Sequence, residues 1–116
     1  MGLTYVDGLV RNNGHEASVR FLVDSGAQYT LLPSDIWKRL GLTARRRETF
    51  ILGDGTPVER DISFCDIELP QGSGPTPVIL GEPGDDALLG VVTLEILGLV
   101  LHPFSRTLQR LRSRLA

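Results

Sequence analysis

Apolar and polar residues alternate along much of the chain with the period of two that is typical of β-strands. The clearest case is the segment 18–23, which ends in Val23 and is followed by Asp24. Upstream, Asn12-Asn13-Gly14 contains residues that tolerate the positive φ of a tight hairpin turn. We therefore predict a hairpin whose second strand ends at Asp24, and a further strand from Tyr29 to Leu32.

Two short segments depart from this alternation and predict helices. The first begins at Pro33-Ser34-Asp35, which carries helix-start residues, and ends before Gly41. The second covers roughly Val91 to Leu97 and ends before Gly98. The apolar face of the first helix is expected to carry Ile36, Trp37 and Leu40.

The middle of the chain has the composition of a second hairpin. Phe50-Ile51-Leu52 and Thr56-Pro57-Val58 flank Gly53-Asp54-Gly55, with the turn at its tip. Pro57 lacks a backbone donor, which places this hairpin at the edge of a sheet. The alternation changes phase near Phe64, which predicts a bulge or a bend there and a change in what the strand packs against.

The C-terminal half predicts fewer regular elements. Pro70 to Pro77 has the composition of a loop, whereas Val78-Ile79-Leu80 is typical of a buried strand. Leu99-Val100-Leu101 predicts a last apolar strand. From Ser105 to Ala116 a helix and an edge strand fit equally well. The sum is a single all-β domain, residues 1–116, with one or two short helices.

Composition restricts the function without identifying it. A chain of 116 residues, 41% of them hydrophobic, has room for one modest core. The formal charge of -2, from 12 basic and 14 acidic residues, argues against nucleic acid or an anionic membrane as a partner. The longest apolar stretch, Leu94 to Leu101, is too short to cross a bilayer, and no export signal is visible. The lone Cys65 cannot form an internal disulfide, so we predict a cytoplasmic protein.

Two kinds of catalysis find no support in the sequence. His15 and His102 are the two histidines, and neither lies near a motif that presents a serine or cysteine nucleophile. Asp85-Asp86 lacks the spaced oxygen ligands of a calcium loop, and the histidines lack the spacing of zinc ligands. We therefore predict neither a metal nor a cofactor.

The most distinctive position is Asp24, where an apolar strand delivers a carboxylate to a tight turn. Ser25, Gly26 and Ala27 follow it and supply a hydroxyl and two small residues. Taken alone, this tetrapeptide is most simply an ordinary exposed turn.

Its surroundings change that interpretation. Leu22-Val23-Asp24-Ser25-Gly26-Ala27, continuing into Thr30-Leu31-Leu32, resembles the active-site signature of the retropepsin-like aspartic proteases. Leu88-Leu89-Gly90 before the second helix is similar to the second signature of that family, and the hairpin around Gly53-Asp54-Gly55 is similar to its flap. The resemblance covers about Tyr5 to about Leu111 with the motifs in the family's order.

The resemblance implies a retropepsin-like acid protease barrel that is active as a twofold homodimer, without a cofactor. It makes Asp24 the one catalytic carboxylate of each chain, with a second Asp24 supplied by an identical partner. Ser25 is expected to hydrogen-bond across the interface, and Gly26 to allow close packing there. The substrate would be an extended peptide or protein segment. Other residues that the resemblance assigns are Ala27, Gly53, Asp54 and Gly55 for substrate binding, and Leu88, Leu89 and Gly90 for support of the catalytic turn.

Several expectations remain open beside the leading one. Ser25 replaces the family's commoner threonine, so the dimer could be weakened, and Asp54 is expected to face solvent as a turn residue. The leading interpretation is an aspartic endopeptidase. The first alternative is a catalytically silent dimerisation or peptide-binding module with the same fold. The second is a monomeric β-barrel interaction domain with an accidental turn motif.

Overall fold

The computed structural model describes residues 3–111. This part of the chain is mostly β-structure with two short helices, as predicted. Of the two alternatives for the segment from Ser105 to Ala116, the strand is found at Thr107–Arg110, and residues 112–116 lie outside the described residues. The elements are β1 (Tyr5–Asn12), β2 (His15–Val23), β3 (Thr30–Leu32), α1 (Ser34–Arg39), β4 (Arg46–Ile51), β5 (Pro57–Leu69), β6 (Gly72–Leu80), β7 (Leu88–Leu89), α2 (Val91–Ile96), β8 (Leu99–His102) and β9 (Thr107–Arg110).

Seven of these strands form one sheet in the order β1-β2-β7-β3-β6-β5-β4. β1 also pairs with β5, so six strands close into a barrel and β4 extends beyond it. Gly8 lies at the closure, where a Cβ atom would lie 2.8 Å from the side chain of Leu69. β8 and β9 form a separate two-stranded sheet.

The β1–β2 hairpin confirms the first predicted turn. Asn13 and Gly14 have φ values of 46° and 82°, which the mirror-image turn of a two-residue hairpin requires. Asn12 pairs with His15, and the register continues without a break to Tyr5 and Leu22. β2 therefore ends at Val23 and leaves Asp24 as the first residue beyond the strand.

The core fills the barrel and continues under α1. Ile36 and Leu40 are buried, and Trp37 is partly buried against the same cluster, as the predicted apolar face requires. The Trp37 indole Nε1 donates a hydrogen bond to the carbonyl oxygen of Gly81 across 2.7 Å. Core residues of the barrel itself include Val10, Ala17, Val19, Phe21, Val23, Leu32, Ile67, Val78 and Leu89.

The predicted loop from Pro70 to Pro77 is wrong for most of its length, because β6 begins at Gly72. Pro75 and Pro77 occupy alternate positions of this strand, opposite Asp66 and Phe64 of β5. β3 joins the other side of β6 only from Val78 onward, so the missing proline donors face a side without a neighbouring strand. Composition alone could not reveal this arrangement.

The phase change near Phe64 has a different origin from a bulge. The register between β5 and β6 is continuous from Ile62 to Leu69. What changes is the second neighbour of β5, which is β4 up to Ile62 and β1 from Asp66 onward. Ile62 and Ser63 are both buried and Phe64 is exposed, because the buried face of the strand switches at this point.

Candidate active site

Asp24 stands at the end of β2, in the interior of the sheet. The backbone N–H of Val23 donates to the carbonyl oxygen of Thr4 at 2.8 Å, and that of Asp24 donates to Leu89 at 3.0 Å. Strands on both sides therefore fix the backbone that carries the carboxylate. The Asp24 side chain is half-buried, whereas Ser25 and Gly26 beyond it are exposed.

The turn after Asp24 holds the carboxylate in place. Its backbone oxygen accepts a hydrogen bond from the N–H of Ala27 at 3.1 Å, and its side-chain Oδ1 accepts one from the N–H of Gly26 at 2.9 Å. A Cβ atom on Gly26 would lie 3.2 Å from the same Oδ1, so glycine keeps this approach open. The second oxygen, Oδ2, is left for other partners.

The first turn of α2 and the short strand β7 support this turn from the other side. Val91 donates its backbone N–H to the carbonyl oxygen of Ala27, and Val92 donates to Gln28, both at 2.9 Å. Leu88 and Leu89 pair in parallel with the last two residues of β2. The structure thus brings Leu88, Leu89 and Gly90 together with the Asp24 turn.

Gly90 has no room for a side chain. A Cβ atom there would lie 2.6 Å from the carbonyl oxygen of Tyr29 and 2.8 Å from the nitrogen of Thr30. The close approach of α2 to the segment after Asp24 therefore depends on this glycine. Its backbone dihedral angles lie in the extended region, so the constraint is steric contact and not backbone strain.

A buried chain of hydroxyl groups continues from Gly90 and was missed by the sequence analysis. The N–H of Gly90 donates to Thr30 Oγ1 at 3.0 Å, Thr30 and Thr93 share a hydrogen bond, and Thr93 and Thr76 share another at 2.7 Å. Thr76 donates to the carbonyl oxygen of Pro77 at 3.1 Å.

The two ends of this chain set its direction. Because Thr76 uses its proton on a carbonyl, Thr93 must donate to Thr76 and Thr30 must donate to Thr93. Each hydroxyl then donates once and accepts once. The available signal in the sequence was a threonine beside apolar residues at Thr30 and Thr93, whereas the segment around Thr76 gave none.

The predicted flap is a hairpin of β4 and the first part of β5, residues 46–62, which we call the flap hairpin. Gly53, Asp54 and Gly55 are all exposed at its tip. Among the described residues, the hydrogen bonds of the tip stay within residues 52–56 and do not reach the Asp24 turn. Gly55 has a φ of 88°, and its N–H donates to the carbonyl oxygen of Leu52 at 2.9 Å. The predicted position of this hairpin at the edge of the sheet is confirmed.

The Asp54 side chain accepts a hydrogen bond from the backbone of its own turn. Its Oδ1 accepts a hydrogen bond from the backbone N–H of Thr56 at 2.9 Å. Hydrogen bonds from Thr56, through its side chain and its backbone, lower the pKa of Asp54. The side chain is exposed, as predicted for a turn residue.

Tyr29 links the flap hairpin to the segment after Asp24, a contact that no pattern in the sequence predicts. Its ring meets that of Phe50 edge to face, with the centroids 5.7 Å apart and an interplanar angle of 88°. Its hydroxyl accepts a hydrogen bond from Arg46 Nη2 at 3.2 Å. Both partners lie on β4.

Two further features of residues 3–111 bear on the predictions. No group of three or more histidine, cysteine or acidic side chains in this range is arranged to hold a metal ion. Within the same range, neither helix has the length and apolar character needed to span a membrane.

Comparisons with known proteins agree with this architecture. Residues 9–95 match the family described as gag-polyprotein putative aspartyl protease. The match covers most of the chain, and the chain belongs to this family of retropepsin-like aspartic proteases.

The fold is similar to that of EIAV protease complexed with the inhibitor HBY-793. The TM-score is 0.61 at 21% sequence identity, over 84% of this chain and 89% of the other. Among curated proteins, none matches. The predicted family and the retropepsin-like barrel are confirmed, whereas the roles of the individual site residues remain predictions.

Proposed function

We propose that the chain is an aspartic endopeptidase that cuts extended peptides with a water molecule activated between two Asp24 carboxylates of a homodimer. The observation that carries this proposal is the geometry of the Asp24 turn. A half-buried carboxylate stands at the end of a core strand, and its backbone is fixed from both sides. An accidental surface turn has no need for such support.

The chemistry requires a base that takes a proton from water and an acid that protonates the leaving nitrogen. Two adjacent carboxylates that share one proton can do both, because their like charges separate the two ionisations. The bond from Gly26 to Asp24 Oδ1 supports this role, since it orients the carboxylate and leaves Oδ2 available. Attack of the water on the peptide carbonyl gives a tetrahedral intermediate, which breaks at the C–N bond as the nitrogen receives its proton.

A homodimer would supply the second carboxylate. Ser25 and Gly26 are exposed in the single chain although hydrogen bonds from Ala27 and Val91 hold the turn that contains them. A twofold partner placed against them would cover both residues and bring the two Asp24 side chains together. The Ser25 hydroxyl would then hydrogen-bond to the partner's turn.

The flap hairpin supports a peptide as the substrate. Ile51 and Leu52 are 67% and 47% exposed next to the tip, which is a high exposure for apolar side chains. A peptide bound between the tip and the Asp24 turn would cover them. Gly53, Asp54 and Gly55 would offer backbone groups to the extended peptide, and Ala27 would contact it from below.

We propose a cytoplasmic location on the basis of Cys65. Cys65 is buried, and burial raises the pKa of its thiol to about 12. A chain with one buried thiol and no partner for a disulfide suits the reducing cytoplasm. We do not expect nucleic acid or membranes as partners, because the net charge is only -2.

A silent dimerisation or peptide-binding module is the second candidate. The exposed apolar residues beside the flap tip favour it as much as they favour an enzyme, because peptide binding alone would also cover them. The Asp24-Ser25-Gly26-Ala27 turn at the end of a core strand favours the enzyme, since peptide binding alone gives no role to a half-buried carboxylate there.

The test is cleavage of a diverse peptide mixture from pH 3 to 8 by the purified full chain, with and without pepstatin. Asp24→Asn should abolish all cleavage, whereas Asp35→Asn, which alters an exposed aspartate in α1, should retain it. Sedimentation of both variants would show whether they keep the oligomeric state of the unmodified chain.

Cleavage that Asp24→Asn retains would exclude the proposed mechanism. A dimer that binds peptides and cuts none of them would instead establish the peptide-binding module. A stable monomer without cleavage would leave the β-barrel interaction domain as the better description.

A further inference from the structure

Tyr29 projects from a backbone segment that packs against Gly90 and the first turn of α2. Gly90 packs directly against its carbonyl group, and Val92 donates a hydrogen bond to the preceding residue, Gln28, at 2.9 Å. The following residue, Thr30, is fully buried in the hydroxyl chain. The backbone that carries the Tyr29 ring is therefore fixed relative to the Asp24 turn.

This ring contacts the flap hairpin at two places. Phe50 meets it edge to face at a centroid distance of 5.7 Å. Arg46 donates to its hydroxyl at 3.2 Å and places the guanidinium carbon 5.9 Å from the ring centroid. Phe50 and Arg46 are four residues apart on β4, so they project from the same face of that strand.

Besides these contacts with Tyr29, β4 is joined to the barrel mainly through β5. In the part of the chain that the structure describes, its pairing partner is β5, from Arg46 opposite Ile62 to Ile51 opposite Pro57. A two-stranded hairpin has little stability by itself. A contact from outside the hairpin therefore has a large influence on where it lies.

We propose that Tyr29 is a positioning residue that sets the flap hairpin relative to the Asp24 turn through its contacts with Phe50 and Arg46. Its catalytic consequence rests on the proposed function, whereas its effect on the hairpin does not. With Tyr29 in place, the hairpin is held ready to cover a peptide. Without it, the hairpin samples a wider range of positions. Part of the binding free energy of a peptide is then used to order the hairpin, which weakens binding.

Amide hydrogen exchange of the full chain tests the structural part directly. In Tyr29→Ala, amides of residues 48–56 should exchange about fivefold faster than in the unmodified chain, which is the effect expected for loss of one aromatic pair. Tyr29→Phe keeps the edge contact with Phe50 and loses the hydroxyl, so its effect should be smaller. Phe50→Ala should reproduce Tyr29→Ala, and the double variant should add little to either.

Tyr5 provides a matched control. It is the other tyrosine of the chain and also lies under an arginine, with the Arg20 guanidinium carbon 4.3 Å from its ring centroid, but it belongs to β1. Tyr5→Ala should leave exchange in the flap hairpin unchanged. If Tyr29→Ala does not fold, the comparison is made between Tyr29→Phe, Phe50→Leu and the double variant.

Peptide cleavage then tests the catalytic part. Tyr29→Ala should raise KM about fivefold and change kcat by less than about twofold, with Tyr29→Phe between the two. The proposal would be overturned if amide exchange in the flap hairpin were the same in Tyr29→Ala as in the unmodified chain. It would also be overturned if the exchange effects of Tyr29→Ala and Phe50→Ala were fully additive in the double variant. If the unmodified chain cleaves no peptide, the proposed function fails, and the exchange data alone decide whether Tyr29 positions the hairpin.

Discussion

The backbone N–H of Gly90 donates a hydrogen bond to the hydroxyl of Thr30 across 3.0 Å, and the two residues are 60 positions apart in the sequence. This bond joins the start of α2 to the strand that follows the Asp24 turn. The hydroxyl chain extends it through Thr93 and Thr76 to β6. The candidate active site is therefore positioned by contacts between distant parts of the chain.

Gly90→Ala should destabilise the fold by about 2 kcal/mol, because the new methyl group would overlap backbone atoms that cannot easily move. Urea unfolding followed by the fluorescence of Trp37 would measure this. Gly53→Ala is the matched control, since a Cβ at Gly53 meets nothing within 4 Å, and it should change the free energy of unfolding by less than about 0.5 kcal/mol. Equal stability of the two variants would contradict the packing described for Gly90.

Thr93→Val should cost about 1–3 kcal/mol, because it removes the middle hydroxyl and leaves Thr30 without an acceptor and Thr76 without a donor. Valine has nearly the same shape, so lost hydrogen bonds and not lost packing would cause the effect. Replacing Thr30, Thr76 and Thr93 together by valine should cost less than the sum of the single changes. Thermal or urea unfolding of the four variants gives the comparison, and strict additivity would show that the hydroxyls do not act as a chain.

Asp54 should titrate below the usual range of an aspartate, because hydrogen bonds from Thr56 favour its charged form. Since its pKa is lower in the folded state, the bonds stabilise the flap tip above the unfolded pKa of about 3.9, and this contribution disappears as the pH falls through the folded pKa. Carbon NMR of the Asp54 carboxyl would measure the shift. Thr56→Ala removes the hydroxyl and keeps the backbone N–H, so it should move the pKa only part of the way back toward the usual value. An unchanged pKa would show that the Thr56 hydroxyl does not contribute.

Cys65 should resist alkylation in the folded protein, because burial raises its pKa to about 12 and keeps the thiol protonated near neutral pH. Iodoacetamide at pH 8 should modify it at least about 100-fold faster in denaturant than in the folded state. Mass spectrometry over a time course gives both rates. Rapid modification of the folded chain would show that the core around Cys65 opens readily.

Ser25 should affect dimerisation more than folding if it bonds across the interface. Ser25→Ala should raise the dimer Kd about tenfold, because the twofold symmetry removes two hydrogen bonds at once. Ser25→Thr, which adds a methyl group at the proposed interface, should lower the Kd or leave it unchanged. Sedimentation equilibrium measures both, and a Kd that Ser25→Ala leaves unchanged would place the Ser25 hydroxyl outside the interface.

Features fixed by short stretches of sequence were predictable. Asn13 and Gly14 gave the first turn correctly because their residue types suit positive φ, and Gly41 and Gly98 marked the ends of both helices. The Asp24 turn was found because its motif is continuous in the sequence. Family resemblance supplied the order of the motifs around it.

Features that depend on neighbours in space were missed. The prolines of β6 suggested a loop because the sequence does not reveal on which side of that strand a neighbour is absent. The contact between Tyr29 and Phe50 joins segments with no shared pattern, and the three threonines of the hydroxyl chain are far apart in sequence. Such pairings follow from topology, which local periodicity does not specify.

Closure of the barrel also has a consequence for how the chain folds. Arg11 of β1 contacts Glu68 of β5, and these residues are separated by 57 positions. The β1–β2 and β5–β6 hairpins have short turns and can form within microseconds, whereas joining β1 to β5 must first overcome the entropy of a long loop. We therefore expect the rate of folding to be set by this late closure, on the millisecond-to-second scale of proteins dominated by non-local pairing.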